Sequence, residues 1–376
     1  MAKSVKHIKP RPDSPGALGY RMPAEWEPHA ATWIAWPHNK SDWPGKFEPI
    51  AWVMTEIVRH LAHDERVNIL VNNEAAEERA VKFLRRAHVL PENESDAQRV
   101  NSAIQFHHYP TNRIWTRDYG PIFVKATKQT PKIAALDWRF NAWAKYSDWR
   151  RDDAIPQQVL GELGVKSWQP RFEVSGKAKR VVLEGGSIDV NGWGTILTTE
   201  ECLLSDVQAR NPELSRDDLE QIFADYLGAT KTLWLNRGIA GDDTHGHIDD
   251  LARFVNPTTV VVACENHKSD ENYEPLLENY KRLQHMTDQN GHALRVVKLP
   301  MPDPVWFEGR RLPASYANFY IANKRVLVPV FNCANDLLAL NTLARLFPSR
   351  RIIPIYCGDF IWGLGAIHCM TQQQPA

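Results

Sequence analysis

No apolar run in the 376-residue chain approaches the roughly 18 residues that a bilayer crossing needs, so no membrane-spanning helix is expected. Charge of one sign is also missing. Forty-five basic residues stand against 45 acidic ones, which removes the footprint of a nucleic-acid binder or a polybasic membrane surface. Cysteine is sparse. Cys202, Cys264, Cys333, Cys357 and Cys369 are odd in number, widely scattered and without a CxxC pair, so neither a disulfide framework nor a cysteine-rich zinc site is expected. No low-complexity tract or charge block divides the chain, and its first residues are charged and proline-rich with no apolar h-region. The expectation is a cytoplasmic protein with a flexible segment at 1–19 and one domain over 20–375.

Tryptophan, by contrast, is abundant. Fourteen indoles, in a chain that is 43% apolar, supply a large core or line a pocket, since each ring joins apolar area to a polar edge. Helical periodicity appears over 47–64, 75–90, 215–228, 273–291 and 335–349. Strand patterns appear over 66–72, 102–110, 132–138, 231–236, 258–264, 293–300, 325–331 and 351–356. The class is therefore α/β. A polar or glycine-bearing step leading into an apolar strand also recurs, at TRDYGPIFVKA, EGGSIDVNGWGTILTT, HGHIDDLARFVNPTTVVVAC, SYANFYIANKRVLVPVF and GAIHCM. The copies lie roughly 50–70 residues apart and each reads as ββαβ. Closed into a ring, such units leave no sheet edge exposed and bring their polar starts to one axial mouth.

Asp118, Glu184, His247, Asp249 and Cys369 all occupy those starts. His245, His247 and Asp249 are spaced by two, the period that shares one face of a strand, and imidazole with carboxylate suits either acid/base chemistry or a metal. A single cysteine with a histidine and carboxylates elsewhere is the composition of an assisted nucleophile. Carboxylates beside a thiol oppose the reactive thiolate unless a compact cation lies among them, and a guanidinium is such a cation.

The segments WTRDYGP, EGGSI with TILTTEECLL, GDDTHGHID with LARF, LPASYANFYIAN and IHCMTQQQP together resemble the agmatine deiminase family of the guanidino-group-modifying, or pentein, superfamily. The resemblance runs from about Tyr20 to Pro375. It implies a pentein five-bladed pseudo-symmetric ββαβ propeller. It further implies Cys369 as nucleophile, His247 as general acid/base, Asp118 and Asp249 as the carboxylates that hold a guanidinium, and Glu184 as support for the histidine. Trp115 falls in the matching substrate-proximal motif, and Asp243 belongs with the substrate-binding residues. The implied reaction converts agmatine to N-carbamoylputrescine and ammonia through a covalent thiouronium, with no metal and no organic cofactor. The expected partner is a small cationic guanidine, with no nucleic acid and no membrane; a homo-oligomer is compatible with this.

The chain departs from the family pattern at Gly363-Leu364-Gly365-Ala366, usually a glycine run, and at Asp243, usually Glu; both bear on substrate fit. Deimination of peptidyl arginine or of another alkylguanidine is the nearest alternative. A metal-dependent hydrolase using His245, His247 and Asp249, and a non-catalytic cation-binding propeller, are the others. The acidic residues of the converging segments predict a mouth that rejects a carboxylate, with Arg117 and Arg253 the basic residues able to turn toward it. Segment 32–45, rich in Trp, is either a lid over the mouth or a packed loop.

Overall fold

A computed structural model describes residues 7–91, 103–126, 128–129 and 132–376. Five of its sheets share one strand pattern. A first strand runs antiparallel to a middle strand, and a helix then carries the chain to a third strand parallel to the middle one. In the sheet Asp189–Val190, Thr195–Thr199, Lys231–Leu235 the crossover is helix Arg216–Leu227. In Ala252–Asn256, Thr259–Cys264, Arg295–Pro300 it is Tyr273–Gln284, and in Tyr320–Ile321, Arg325–Val330, Arg351–Tyr356 it is Asn335–Leu346. Ile122–Ala126, Ile133–Leu136 and Lys166–Trp168 repeat the pattern with Tyr20–Arg21 added at the edge. In the fifth sheet the first strand is the last of the chain. Gln372–Pro375 pairs antiparallel with His29–Ala35, and helix Phe47–Leu61 leads to Arg66–Leu70 and then, by way of Glu74–Arg86, to Ile104–His107.

The reasons are local. Parallel neighbours need a crossover of a dozen or more residues, so helical periodicity between two apolar runs becomes a strand-helix-strand unit. Middle strands are covered on both sides, hence the unbroken TVVVAC of Thr259–Cys264. Helix Arg216–Leu227 starts at a capping box between Ser215 and Asp218 and stops at Gly228 in the left-handed region.

The sequence reading omits helix Arg150–Leu163, which carries Pro156 in its interior. A proline there removes one backbone hydrogen bond, and burial of Ile155, Val159 and Leu160 outweighs that loss. Segment 7–19 lies against helix Arg216–Leu227, with the Arg11 backbone N–H and Nε donating to the Asp225 carboxylate at 2.6 and 2.5 Å; residues 1–6 of the expected flexible start fall outside the described residues. No helix among the described residues is long and apolar enough to cross a membrane.

The tryptophans divide. Trp33 and Trp43 are fully buried, whereas Trp52, Trp193 and Trp306 reach solvent. Residues 32–35 of segment 32–45 belong to strand His29–Ala35, and the rest is a loop pinned by the buried Trp43, whose indole donates to the Phe360 carbonyl at 2.8 Å.

Candidate active site

Each of the five first strands is entered through a tight polar step, and the steps bring their side chains together. Thr116–Tyr119 is a single helical turn before Ile122; Gly185–Ser187 and Ile248–Asp250 are 3-10 turns before Asp189 and Ala252. Asn318 precedes Tyr320, and Cys369 precedes Gln372. Two glycines permit the approach. A Cβ on Gly185 would stand 2.3 Å from the Arg117 carbonyl oxygen. One on Gly186 would stand 2.6 Å from His247 Nδ1, 2.8 Å from Asp118 Oδ1 and 3.1 Å from Asp249 Oδ2. The bare Gly186 backbone therefore packs directly against those three side chains, which a larger residue would push apart.

His247 is buried, and among the described residues neither ring nitrogen has a hydrogen-bond partner. Its Nδ1 lies 3.8 Å from Asp118 and 3.9 Å from Asp249, and its Nε2 lies 3.7 Å from Glu184. Burial pulls its pKa down, but the charge of Asp118, with Cys202 and Glu184 behind it, prevails and holds it well above the ordinary histidine value. Asp118 is pushed up to about 7, chiefly by burial, with His247 opposing and Asp249 and Glu184 adding to the rise. Its Oδ1 accepts from the Gly186 N–H at 3.1 Å and its Oδ2 from the Trp143 indole at 3.0 Å. Glu184 is equally buried, yet against that burial the Arg210 guanidinium, 3.1 Å away, brings its pKa down to about 2.

Cys369 Sγ accepts from Asn318 Nδ2 at 3.0 Å and lies 3.6 Å from Asp249 Oδ2. Burial, then Asp249, Asp250 and Asp118, push the thiol well above its ordinary value. That field favours the thiol over the thiolate. A cation between Asp118 and Asp249 would reverse that bias by neutralising the field.

Beneath this cluster lies a layer that the sequence reading did not find. His368 bridges two carboxylates, with Nδ1 2.7 Å from Asp249 and Nε2 2.8 Å from Glu25. Glu25 also pairs with Arg117 at 3.2 Å and Arg253 at 3.0 Å. Those two arginines are therefore held under the floor of the site, and neither turns to the mouth. Asn318 ties the layers together, donating to Cys369 and to Asp250 and accepting from the His368 N–H. One signal for it existed: it holds, in the fourth repeat, the place of Asp118 in the first.

A cavity of about 280 Å³ opens above Cys369 and Asp118, lined among others by Trp115, Trp143, Tyr146 and Trp362. Asp243 lines it too, but both its oxygens are engaged, by Lys145 at 2.6 Å, Arg310 at 2.8 Å and the Tyr146 hydroxyl at 2.6 Å. The expected uniformly acidic mouth is thus corrected. Glu184, Asp249 and Asp250 are buried below, Asp242 is spent on the N–H groups of Thr244, Gly246 and His247, and the rim carries Arg113, Lys145 and Arg310.

The glycine-run departure also finds its place. Gly363 and Gly365 stay glycine where a Cβ would stand 2.6 Å from the Trp43 ring and 2.7 Å from the Trp115 ring. Leu364 instead takes a φ of 68° and lines the cavity.

His245 does not join His247 and Asp249. The residue sits at φ 64°, next to Gly246 at φ 94°, so the strand-face argument fails, and its Nε2 meets Ser205 Oγ at 3.2 Å. Metal-capable groupings do occur elsewhere. Donor atoms of Glu184, Cys202 and His247 lie within 4.8 Å of one another, as do those of Asp249, Asp250 and Cys369. Cys202, one of the scattered cysteines, thus stands beside the histidine.

A profile of the family described as Porphyromonas-type peptidyl-arginine deiminase matches residues 21–375. The agmatine deiminase of Medicago truncatula is 34% identical over 396 residues, covering 97% of this chain and 98% of its own. Among solved structures, the Enterococcus faecalis agmatine deiminase, described as catalysing its reaction, superposes with a TM-score of 0.83 at 32% identity, covering 98% of this chain and 99% of its own. A Cys→Ser variant of the C. jejuni agmatine deiminase with substrate bound superposes with a TM-score of 0.80 at 28% identity, covering 95% and 96%.

Proposed function

The chain belongs to the family described as Porphyromonas-type peptidyl-arginine deiminases, and we propose that it hydrolyses the guanidinium of agmatine to N-carbamoylputrescine and ammonia. The observation that carries this is the cavity over Cys369 and Asp118, with Asp249 3.6 Å from the Cys369 sulfur and the His247 ring 3.8 Å from Asp118 and 3.9 Å from Asp249. Asp118 and Asp249 grip the planar guanidinium through its N–H groups and set its carbon beside Sγ. The Cys369 thiol gives up its proton to solvent as its sulfur adds to the carbon; an amino group of the adduct takes a proton from His247 and leaves as ammonia, which solvent protonates to ammonium. An S-linked thiouronium remains. His247, now neutral, takes a proton from water; the oxygen adds to the same carbon, the C–S bond breaks, the hydroxyl proton of the adduct returns to the sulfur, and the neutral ureido product leaves. Glu184, fixed by Arg210, stabilises the charged imidazole, and Trp115 with Trp143 walls the cavity. Asp243 orders Lys145, Tyr146 and Arg310 at the rim.

The five like sheets, with the last strand of the chain closing the sheet of the first, support a five-bladed ring of the pentein type over 20–375. Five free cysteines support a reducing, cytoplasmic setting. The test is ammonia release from agmatine, arginine, methylated arginine and an arginine peptide. Agmatine is expected to lead, and ammonia from none of them would end the proposal. A lead by the peptide would favour the peptidyl-arginine alternative.

Gly186→Ala probes this close approach directly. Its methyl would stand 2.6 Å from His247 Nδ1, 2.8 Å from Asp118 Oδ1 and 3.1 Å from Asp249 Oδ2, so these buried groups would have to shift. We expect kcat/KM to fall at least about tenfold, because the groups assigned to the guanidinium would be displaced. Parent-like kcat/KM would show that the reaction does not depend on their exact placement.

A further inference from the structure

Of the acids that line the cavity above the nucleophile, Asp42 keeps an oxygen that the fold leaves unused. Asp42 lies in the packed loop before Trp43, with its side chain only 9% exposed. Its Oδ1 accepts from Asn39 Nδ2 at 3.0 Å and stands 3.8 Å from Arg113 Nε. Its Oδ2 is buried with no partner among the described residues. Arg113 is committed elsewhere, donating to the Asp148 carbonyl at 3.0 Å and carboxylate at 2.9 Å. Asp243 differs, since its oxygens are filled by Lys145, Tyr146 and Arg310.

The wall of the cavity fixes where Asp42 lies relative to the chemistry. Asp118 accepts from the Trp143 indole at 3.0 Å, the Trp143 and Tyr146 rings are 6.0 Å apart, and the Arg113 guanidinium lies 4.5 Å from the Tyr146 ring, with Asp42 next. From Asp118 the wall of the cavity therefore runs through two aromatic rings and Arg113 to a second carboxylate, one oxygen of which is unused. That order matches a substrate with a cation at each end and a few methylenes between them. A buried carboxylate oxygen with no donor is costly, and a bound ammonium would satisfy it.

We propose that Asp42 is a specificity-determining residue, receiving at Oδ2 the distal ammonium of a guanidine that carries a second cation. The inference rests on the deiminase reading above and adds what selects the far end of the substrate. Burial, helped by Asp148 and opposed by Arg113, pushes the Asp42 carboxyl up to about 7, a state that an arriving ammonium would reverse.

The test compares agmatine with butylguanidine, the same chain without the amine, using the full-length protein and its Asp42→Asn variant. The preference of the parent for agmatine, in kcat/KM, is expected to fall about tenfold or more in the variant, mainly through KM. An unchanged preference, or a parent that does not prefer agmatine at all, would overturn the proposal. So would a parent that prefers 4-guanidinobutanoate, since Arg113, Lys145 and Arg310 would then be the groups that read the far end. Calorimetric titration with agmatine and butylguanidine reads the same preference without turnover, so failure of the hydrolase reading is distinguishable from failure of Asp42. If Asp42→Asn does not fold, the calorimetric preference of the parent decides.

Discussion

Cys369→Ser is expected to release ammonia from agmatine at less than about one thousandth of the parent rate while keeping the fold, because an alcohol supplies far too little anion to replace a thiolate. The surroundings sharpen the contrast. Burial and the three nearby aspartates oppose any anion at this position, so even the thiol is held neutral until a guanidinium settles between Asp118 and Asp249. A serine hydroxyl begins higher and meets the same field. Fold retention follows from the contacts: Asn318 Nδ2 can donate to a hydroxyl as it does to Sγ, and the side chain is nearly isosteric. Steady-state ammonia release, with far-ultraviolet circular dichroism as the control, checks both halves of the expectation. Turnover within tenfold of the parent would remove Cys369 as nucleophile. A consequence for the resting protein is that iodoacetamide should label Cys369 slowly at neutral pH in the absence of a guanidine.

The parts of this site that were legible in the sequence share one property. Asp118, Glu184, His247, Asp249 and Cys369 each stand at a polar step before an apolar strand, and the repeat of that step implies that they meet. Asn318 stands at the same step in the fourth repeat but among Tyr316, Ala317 and Phe319, where no charge draws the eye. Glu25 and Arg210 belong to no repeat, and their partners lie far along the chain, so nothing local announces them. Side-chain direction was the other loss. Arg117 and Arg253 could have faced either way from their strand starts, and the buried Glu25 drew both below the floor. At the rim the reverse occurred: Lys145 and Arg310 arrive from a turn and a short hairpin and cancel the charge of Asp243. Residue types told which chemistry was available, and long-range pairing decided which charges were left to use.

His247→Ala should lower kcat at least about a hundredfold, since in the proposed mechanism both the departure of ammonia and the activation of water pass through this ring. The geometry suits a group that must change state within one turnover. Neither ring nitrogen is tied to a protein partner, and Asp118, Asp249 and Glu184 surround it at 3.7–3.9 Å, close enough to stabilise the imidazolium and too far to lock its protons. Because that field holds its pKa well above the ordinary value, the ring waits protonated at neutral pH, ready to give a proton to the leaving nitrogen. Asp118 sets the opposite limb. With its pKa near 7, kcat/KM should fall as the pH drops below that value, because a protonated Asp118 no longer grips a guanidinium. A metal makes a different demand on the same histidine. Glu184, Cys202 and His247 are close enough to hold zinc, and in that case chelation would abolish activity and added zinc restore it. We expect activity indifferent to EDTA, because a ring bound to metal through one nitrogen could not both deliver the proton to ammonia and retrieve it from water. Stoichiometric zinc together with loss of turnover on its removal would assign His247 to the metal instead.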